Sequence, residues 1–363
     1  MQFSSTLAFL IDAASDLPGA DRLLADMGAR LLADGVPLAG GALTLAVPHP
    51  LIARRTWLWR AENGDVMEAL GFAPGGLVPE KTPGTPGGAG RNWLAGVAAG
   101  PVHEDIVGSK SDGPLLSWIA PRPFTPDEAD ALRQAARFAA APLAALSARS
   151  TLTAALEAYL GRRSAARVLA GPLRRDLGET IEAALLYADL RGFTALSESH
   201  PPADVIAALD AWFDRIAGAV HVFGGEVLKF IGDGVLAIFP VVSGHAAACD
   251  AALRAVQAAR IGMAHLDAAR RQQGQPSLAF GVALHLGEIL WGNIGAADRL
   301  DFTAIGSAVN LVSRLEGLCR PLDKTVLVSG TFAAACGTAL VPLGTHALRG
   351  IATPCAVFTV PDA

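Results

Sequence analysis

Apolar and polar positions follow two different patterns along this chain of 363 residues. In the first part, residues 31–47 and 54–60 have strand-like patterns, and residues 124–146 have the apolar spacing of a closing helix. Between them, residues 73–92 are rich in proline and glycine, which predicts a mobile loop. These patterns predict a small α/β domain over residues 1–146.

A helical linker is predicted over residues 147–179. Its apolar residues recur at the spacing of one helix face: Leu152, Leu156, Tyr159 and Leu160. Such a face can pack on its own domain or form a parallel seam between two chains, and the sequence leaves both possibilities open. Gly161 interrupts the pattern, so we do not expect a long coiled coil.

From residue 180 to residue 363 the strand and helix patterns follow a different order. A strand over 181–190 is followed by an amphipathic helix, two strands joined by a tight turn, a long helix and a further strand. This β-α-β-β-α-β order predicts a ferredoxin-like, split βαβ domain of the α+β class. Helices are expected to cover one face of its sheet.

Composition and charge exclude several classes of function. The net charge is −5, from 29 basic and 34 acidic residues, and no basic patch indicates a nucleic-acid partner. Although 52% of the residues are hydrophobic, we find no run of about 18 uncharged apolar residues that would predict a membrane span. The N-terminus lacks the basic segment of a signal peptide. The four cysteines are scattered, so we expect a reducing cytoplasm and neither a zinc site nor disulfides.

Two aspartates indicate where the chemistry lies. Asp189 ends the first strand of the second domain, and Asp233 lies in the turn between the second and third strands. If the first and second strands are neighbours in the sheet, the two carboxylates meet at one edge. Adjacent carboxylates stay ionised at low cost only with a cation between them, and Mg²⁺ takes oxygen ligands. The turn after Asp189 leads into a helix start, where backbone N–H groups near Phe193 and Thr194 would bind a phosphate.

Four segments then occur in order along the second half of the chain. They are ADLRGFT at 188–194, GGEVLKFIGDGVLAIF at 224–239, GVALHLGEILWGNIG at 281–295 and DFTAIGSAVNLVSRLE at 301–316. Together they resemble the successive signatures of class III nucleotidyl cyclases, the catalytic domains of adenylate and guanylate cyclases. The resemblance covers about residues 180 to 360. Residues 1–146 lie outside it and resemble a GAF- or PAS-type regulatory domain.

The resemblance implies roles for individual residues. Asp189 and Asp233 match the two metal-binding aspartates, and the carbonyl of Leu190 matches a backbone metal ligand. Lys229 matches the lysine that reads the purine, and Thr303 stands where many relatives have a purine-reading aspartate. Because Lys229 alternates with its neighbours Leu228 and Phe230, we expect it to face away from both.

Further residues match the part of the family's site that acts on ribose and phosphates. Asn310 and Arg314 match the asparagine that positions the ribose and the arginine that stabilises the transition state, and Arg349 matches a late basic residue at the terminal phosphates. Independently of the family, Asn310 and Arg314 are four residues apart on a predicted helix and share a face. The planar, permanently charged guanidinium of Arg314 suits phosphate oxygens. His285 is expected to be a structural histidine.

The resemblance also implies an activity and partners. It implies a head-to-tail homodimer with shared sites, ATP as substrate and two Mg²⁺ or Mn²⁺ ions per site. The Lys229 and Thr303 pair resembles a subgroup that is often ATP-selective and sometimes responds to bicarbonate. We therefore expect an adenylate cyclase, regulated through residues 1–146 by an unknown ligand or protein. A guanylate cyclase and a catalytically silent cyclase-fold module remain as alternatives. A diguanylate cyclase is excluded because the hairpin turn reads IGDG.

Overall fold

The computed structural model describes residues 4–46, 52–72, 88–108, 113–171, 178–296 and 298–361. The chain divides into two compact units, Met1–Ala154 and Ala155–Ala363, with the boundary inside the predicted linker. Within the described ranges, no helix is both long enough and apolar enough to cross a membrane.

The first unit is an antiparallel sheet covered by helices on both faces. Its strands are β1 (Gly40–Ala46), β2 (Ile52–Arg60), β3 (Val66–Phe72), β4 (His103–Ile106) and β5 (Leu115–Ile119), in the order β3-β2-β1-β5-β4. Its helices are α1 (Ser5–Asp12), α2 (Ala20–Ala33), α3 (Gly88–Ala95) and α4 (Pro126–Phe138), and α5 (Ala140–Leu160) continues into the second unit. Helices α1, α2 and α4 bury the larger core against one face, and α3 packs on the other.

The sequence patterns of this unit are confirmed in part. The strand over 54–60 is found within β2, and the closing helix over 124–146 is found as α4 and the start of α5. Residues 88–92, placed in the loop by their composition, begin α3, because Leu94 of that helix is buried on the sheet. The rest of that predicted loop, 73–87, lies outside the described residues. The GAF- or PAS-type interpretation stays a prediction.

The face of α5 that the sequence left open is partly exposed. Leu152 is 52% exposed and Tyr159 is 90% exposed, whereas Leu156 and Leu160 are partly buried. Both possibilities for this face, packing on its own domain and a helical seam between two chains, stay predictions. Gly161 separates α5 from α6 (Arg162–Ala170) with φ of +81°, a conformation that favours glycine.

A buried carboxylate holds the start of α6. Glu226 is 4% exposed, and its Oε1 accepts hydrogen bonds from the backbone N–H (2.9 Å) and the hydroxyl (2.7 Å) of Ser164, which is fully buried. A Cβ on Gly161 would lie 3.0 Å from the same oxygen. Glu226 therefore acts as an N-terminal cap for α6 from a distant position in the sequence.

In its described residues, the second unit contains eight strands and its own helices. The strands are β6 (Glu179–Leu190), β7 (Glu226–Ile231), β8 (Gly234–Pro240), β9 (Phe280–Gly295), β10 (Leu300–Ile305), β11 (Val326–Ser329), β12 (Val341–His346) and β13 (Cys355–Thr359). The helices after α6 are α7 (Phe193–Ser199), α8 (Pro202–Val222), α9 (His245–Gln272), α10 (Ser307–Glu316) and α11 (Gly330–Ala335). The sheet order is β12-β13-β11-β9-β6-β8-β7, and β10 pairs with β9.

The central order β9-β6-β8-β7 confirms the ferredoxin-like fold. Trp212 of α8 and Val256 of α9 belong to the core on one face of this sheet. The opposite face packs against β10 and α10 through Phe302 and Val312. Apolar side chains on both faces of the sheet thus pack against other elements.

One topological expectation is wrong. The first strand, β6, lies beside the third strand, β8, and the second strand, β7, lies at the edge of the sheet. In the split βαβ arrangement the third strand enters between the other two. The expected meeting of carboxylates survives, because Ala188 pairs with Val235 and thereby brings the turn at Asp233 to the end of β6.

Candidate active site

The end of β6 and the β7–β8 turn bring Asp189 and Asp233 together. Burial, and then the nearby carboxylates of Asp233 and Glu316, raise the pKa of Asp189 to about 7. Asp189 Oδ1 is buried and has no hydrogen-bond partner within the described part of the chain. The carboxyl groups therefore lie close together at a place where burial disfavours the charged form of Asp189.

Three neighbours of the aspartates were not predicted. Glu316 lies at the end of α10, and burial raises the pKa of its carboxyl, although the nearby charge of Arg191 opposes this. Arg191 Nη2 donates to the backbone carbonyls of Cys319 (3.2 Å) and Lys324 (2.7 Å). Burial, and then the charge of Asp189, raise the pKa of Tyr187 to about 12, so its phenol stays protonated.

The core fixes the turn that contains Asp233. Trp212 of α8 is fully buried, and its indole Nε1 donates to the backbone carbonyl of Asp233 at 2.9 Å. This hydrogen bond thus ties the turn to a large side chain that is packed in the core. The carboxylate of Asp233 is thereby positioned by packing on α8 as well as by its strands.

Gly281 of β9 makes room for the third carboxylate. It lies directly opposite Asp189 in the β6–β9 pairing. A Cβ at this position would lie 2.3 Å from Glu316 Oε1 and 3.0 Å from Cys319 Cβ. Any larger residue would have to displace Glu316, so the acidic cluster depends on the absence of a side chain at this position.

The aspartate pair fits a divalent cation. A buried carboxylate oxygen without a hydrogen-bond partner is costly, and a cation would satisfy it. Asp189 and Asp233 with the carbonyl of Leu190 would supply hard oxygen ligands, leaving positions for water and phosphate. In the described ranges no group of three or more His, Cys, Asp or Glu side chains is arranged to hold a metal. Glu316 is a neighbour of the candidate ligands.

A second cluster joins β7 to β10. A β-bulge directly before Lys229 places it on the β10 side, where its Nζ forms an ion pair with Asp301 Oδ2. Leu228 packs on the same side, whereas Phe230 packs on α8. The expectation that Lys229 faces away from both neighbours is wrong for Leu228, because the bulge adds one residue to the strand. Asp301 was not predicted, although it lies two residues before Thr303 on β10 and therefore on the same face of that strand.

The residues assigned to the purine and ribose lie on β10 and the following helix. Thr303 is 8% exposed and pairs with Gly292 of β9. Asn310 and Arg314 are both exposed on α10, as their spacing predicts. Neither of these two side chains makes a hydrogen bond or ion pair with another described residue.

The remaining predicted residues are separate from these clusters. Phe193 and Thr194 begin α7 after Gly192, and Phe193 lines a cavity of about 240 Å³. Arg349 is exposed in a turn, and no hydrogen bond or ion pair between described residues links it to the other site residues. His285 is buried, and its Nδ1 lies 2.8 Å from Ser329 Oγ. Burial lowers the pKa of His285 to about 4, which agrees with a structural histidine.

Comparison with known proteins finds similarity within the second unit. The sequence model of the adenylate and guanylate cyclase catalytic domain matches residues 178–350. Adenylate cyclase 1 of Rhizobium meliloti (strain 1021) is 31% identical over 181 residues, which cover 49% of this chain and 27% of that protein. The adenylate cyclase of Anabaena cylindrica is 31% identical over 149 residues, 40% of this chain and 29% of that protein. This chain thus spans less than a third of the length of either relative.

A solved structure shares the fold. A bacterial light-regulated adenylyl cyclase is 26% identical, with a TM-score of 0.51 over 60% of this chain and 62% of that chain. The order of strands, the acidic cluster at the end of β6 and the sequence match all point to the same catalytic fold. Residues 178–350 of this chain thus match the adenylate and guanylate cyclase catalytic domain.

Proposed function

We propose that this protein is an adenylate cyclase that converts ATP to 3′,5′-cyclic AMP and pyrophosphate. The observation that supports this most directly is the pairing of Asp189 and Asp233, with one buried oxygen of Asp189 unsatisfied. Such a pair is suited to Mg²⁺ or Mn²⁺ and, through the metal, to a triphosphate. The names of the curated relatives, both adenylate cyclases, agree with this substrate.

Asp189, Asp233 and the carbonyl of Leu190 would hold the metal ions, two in each site. When bound, these ions would favour ionisation of the ribose 3′-hydroxyl and neutralise charge on the phosphates. In the reaction the 3′ oxygen loses its proton and forms a bond to the α-phosphorus. The bond from the α-phosphorus to the β-phosphate oxygen breaks, and pyrophosphate leaves with that electron pair.

Side chains of α10 would act on the ribose and on the developing charge. Asn310 would orient the ribose, and the fixed charge of Arg314 would stabilise the transition state at the α-phosphate. A preorganised donor of this kind is typically worth about 10²- to 10³-fold in rate. Phe193 and Thr194 are assigned to the phosphates through the backbone N–H groups at the start of α7. Arg349 is assigned to them through the family resemblance alone.

The site is proposed to form between two copies of the chain. Two observations support this arrangement. Asn310 and Arg314 are exposed and lack partners among the described residues, and Leu152 and Tyr159 of α5 are exposed apolar side chains. In a head-to-tail homodimer the aspartates of one subunit would meet Lys229, Asn310 and Arg314 of its partner. Residues 1–146 are proposed to regulate this assembly in the cytoplasm.

A guanylate cyclase is the second candidate, because only the reading of the purine separates the two activities. Lys229 favours ATP, since its Nζ can only donate and the N1 of adenine is an acceptor, whereas the N1 of guanine is a donor. A catalytically silent module is disfavoured, since both aspartates, Asn310 and Arg314 are all present.

The test is direct. The purified full chain is incubated with Mg²⁺ or Mn²⁺ and with ATP or GTP, and the products are separated by chromatography. We expect cyclic AMP and pyrophosphate from ATP. Cyclic GMP as the main product would support the guanylate cyclase, and bound nucleotide without any cyclic product would support the silent module.

A further inference from the structure

Arg191 directly follows the candidate metal ligands Asp189 and Leu190, and it precedes the turn into α7. We propose that Arg191 is a positioning residue of the metal site. Its backbone N–H and its guanidinium together hold the carbonyl of Leu190 in the direction of the cation. This inference rests on the proposed function and identifies what fixes the one candidate ligand that is not a side chain.

The backbone of Arg191 sets the direction of that carbonyl. Its N–H donates to the carbonyl of Ala279 at 2.7 Å, on the β9 side of β6. The peptide bond between Leu190 and Arg191 is trans, so the carbonyl of Leu190 points the opposite way from this N–H. Because β6 lies between β9 and β8, the carbonyl faces the β8 side, where the turn with Asp233 lies.

The side chain of Arg191 keeps this peptide group from turning. Its Nη2 donates to the carbonyls of Cys319 (3.2 Å) and Lys324 (2.7 Å), which lie between α10 and β11. Cys319 is fully buried, and its carbonyl also accepts from the backbone N–H of Lys324 at 3.0 Å. Hydrogen bonds from a charged donor are stronger than those from a neutral one. Arg191 is therefore anchored to β9 by its backbone and to the segment after α10 by its side chain.

The charge of Arg191 alone would have the opposite effect on a cation. Burial raises the pKa of Glu316, and the nearby charge of Arg191 opposes this rise. A fixed positive charge beside the acidic cluster also repels a divalent cation. If Arg191 acted only through its charge, removing it would strengthen metal binding, whereas loss of a positioning residue weakens metal binding. The sign of the change therefore distinguishes the two roles.

The test measures Mn²⁺ binding to the full chain without nucleotide, by electron paramagnetic resonance of the free ion. Arg191→Met removes the donors and the charge but keeps a long, unbranched side chain. Loss of a residue that orients a metal ligand typically weakens metal binding by about 10- to 100-fold, so we expect the Kd for Mn²⁺ to rise at least about tenfold. Arg320→Met is the matched control, because Arg320 is exposed in the segment after α10. It should keep the wild-type Kd.

A Kd for Mn²⁺ in Arg191→Met equal to or below the wild-type value would overturn the inference. Circular dichroism checks that this variant keeps its secondary structure. If it does not, Arg191→Lys decides, since lysine keeps the charge but its Nζ ends one bond short of the position of Nη2. Loss of one hydrogen bond then predicts a Kd about two- to tenfold higher, and an unchanged Kd would overturn the inference.

Failure of the proposed function gives a different result. If the wild type binds Mn²⁺, Asp189→Ala abolishes that binding and ATP yields no cyclic product, the proposed function is wrong and the Mn²⁺ comparison still decides the role of Arg191. If the wild type binds no Mn²⁺, or Asp189→Ala binds it as well as the wild type does, the metal site and this inference are both overturned.

Discussion

Replacing Glu226 by alanine should release the start of α6 from the catalytic domain. The change removes the only described acceptor for two donors of Ser164, a residue that is fully buried. Each unsatisfied buried donor costs about 1–3 kcal/mol. The variant also removes the buried and unpartnered Oε2 of Glu226, which offsets part of this cost. We therefore expect local opening of α6 to become easier by about 2–4 kcal/mol.

Hydrogen exchange of the full chain, followed by mass spectrometry, measures the free energy of local opening in α6. The method does not require the chain, which has two units, to unfold in a single two-state transition. A loss of about 2 kcal/mol corresponds to roughly 30-fold faster exchange in the peptides that cover residues 162–170. Glu226→Gln keeps an oxygen acceptor but loses the charge at the helix N-terminus. That charge is worth about 0.3–1 kcal/mol, so its exchange should accelerate only about two- to fivefold.

Glu288→Ala is the matched control, because Glu288 is exposed on β9. It should leave exchange in α6 unchanged. Wild-type exchange rates in Glu226→Ala would refute the reasoning and show that α6 is held by its apolar contacts alone. Equal acceleration in Glu226→Ala and Glu226→Gln would instead assign the whole effect to charge.

Four further predictions concern the candidate site. Asp189→Ala and Asp233→Ala should each abolish cyclic nucleotide formation while circular dichroism stays unchanged, and more than a few per cent of residual rate with Mg²⁺ would contradict the metal assignment. Inactive Asp189→Ala and Arg314→Ala chains should regain activity once they are mixed and shown to exchange subunits. One of the two sites in the heterodimer then has no mutation. No recovery would place all catalytic residues in one subunit. Because the pKa of Asp189 is raised to about 7 without a cation, Mg²⁺ or Mn²⁺ binding near that pH should release protons and weaken as the pH falls. Calorimetry in buffers of different ionisation enthalpy checks this, and a binding enthalpy independent of the buffer would contradict it. By the same linkage, the cation-free protein should lose stability as the pH rises from about 4 to 7, since the folded state retains a proton that the unfolded state has released.

The second unit could be predicted well because its patterns are local. The β-α-β-β-α-β order follows from apolar periodicity and turn residues, and Asn310 and Arg314 share a helix face through simple spacing. The bulge before Lys229 could not be foreseen, since it depends on how β7 pairs with β8. The same bulge explains why Asp301, distant in sequence, was not linked to Lys229.

The first unit was harder to predict. Helix α3 begins in a glycine-rich stretch and is stabilised by burial of Leu94 on the sheet, which no local propensity reveals. Glu316 and Tyr187 were missed at the acidic cluster for a similar reason. Each has apolar neighbours in the sequence that give no sign of a site, and only the tertiary fold shows that it lies near Asp189.

The absence of a side chain at Gly281 makes this position a place where the electrostatics of the acidic cluster can be changed by substitution. Gly281 lies opposite Asp189, and adding one methyl group there would push the flexible end of Glu316 away from its present position. A negative charge would then move relative to the metal-binding pair without any change to the pair itself. Substitutions at this single position could therefore change the cation preference gradually, because the side chain there can be enlarged by one carbon atom at a time. Replacing a metal ligand does not allow such small changes.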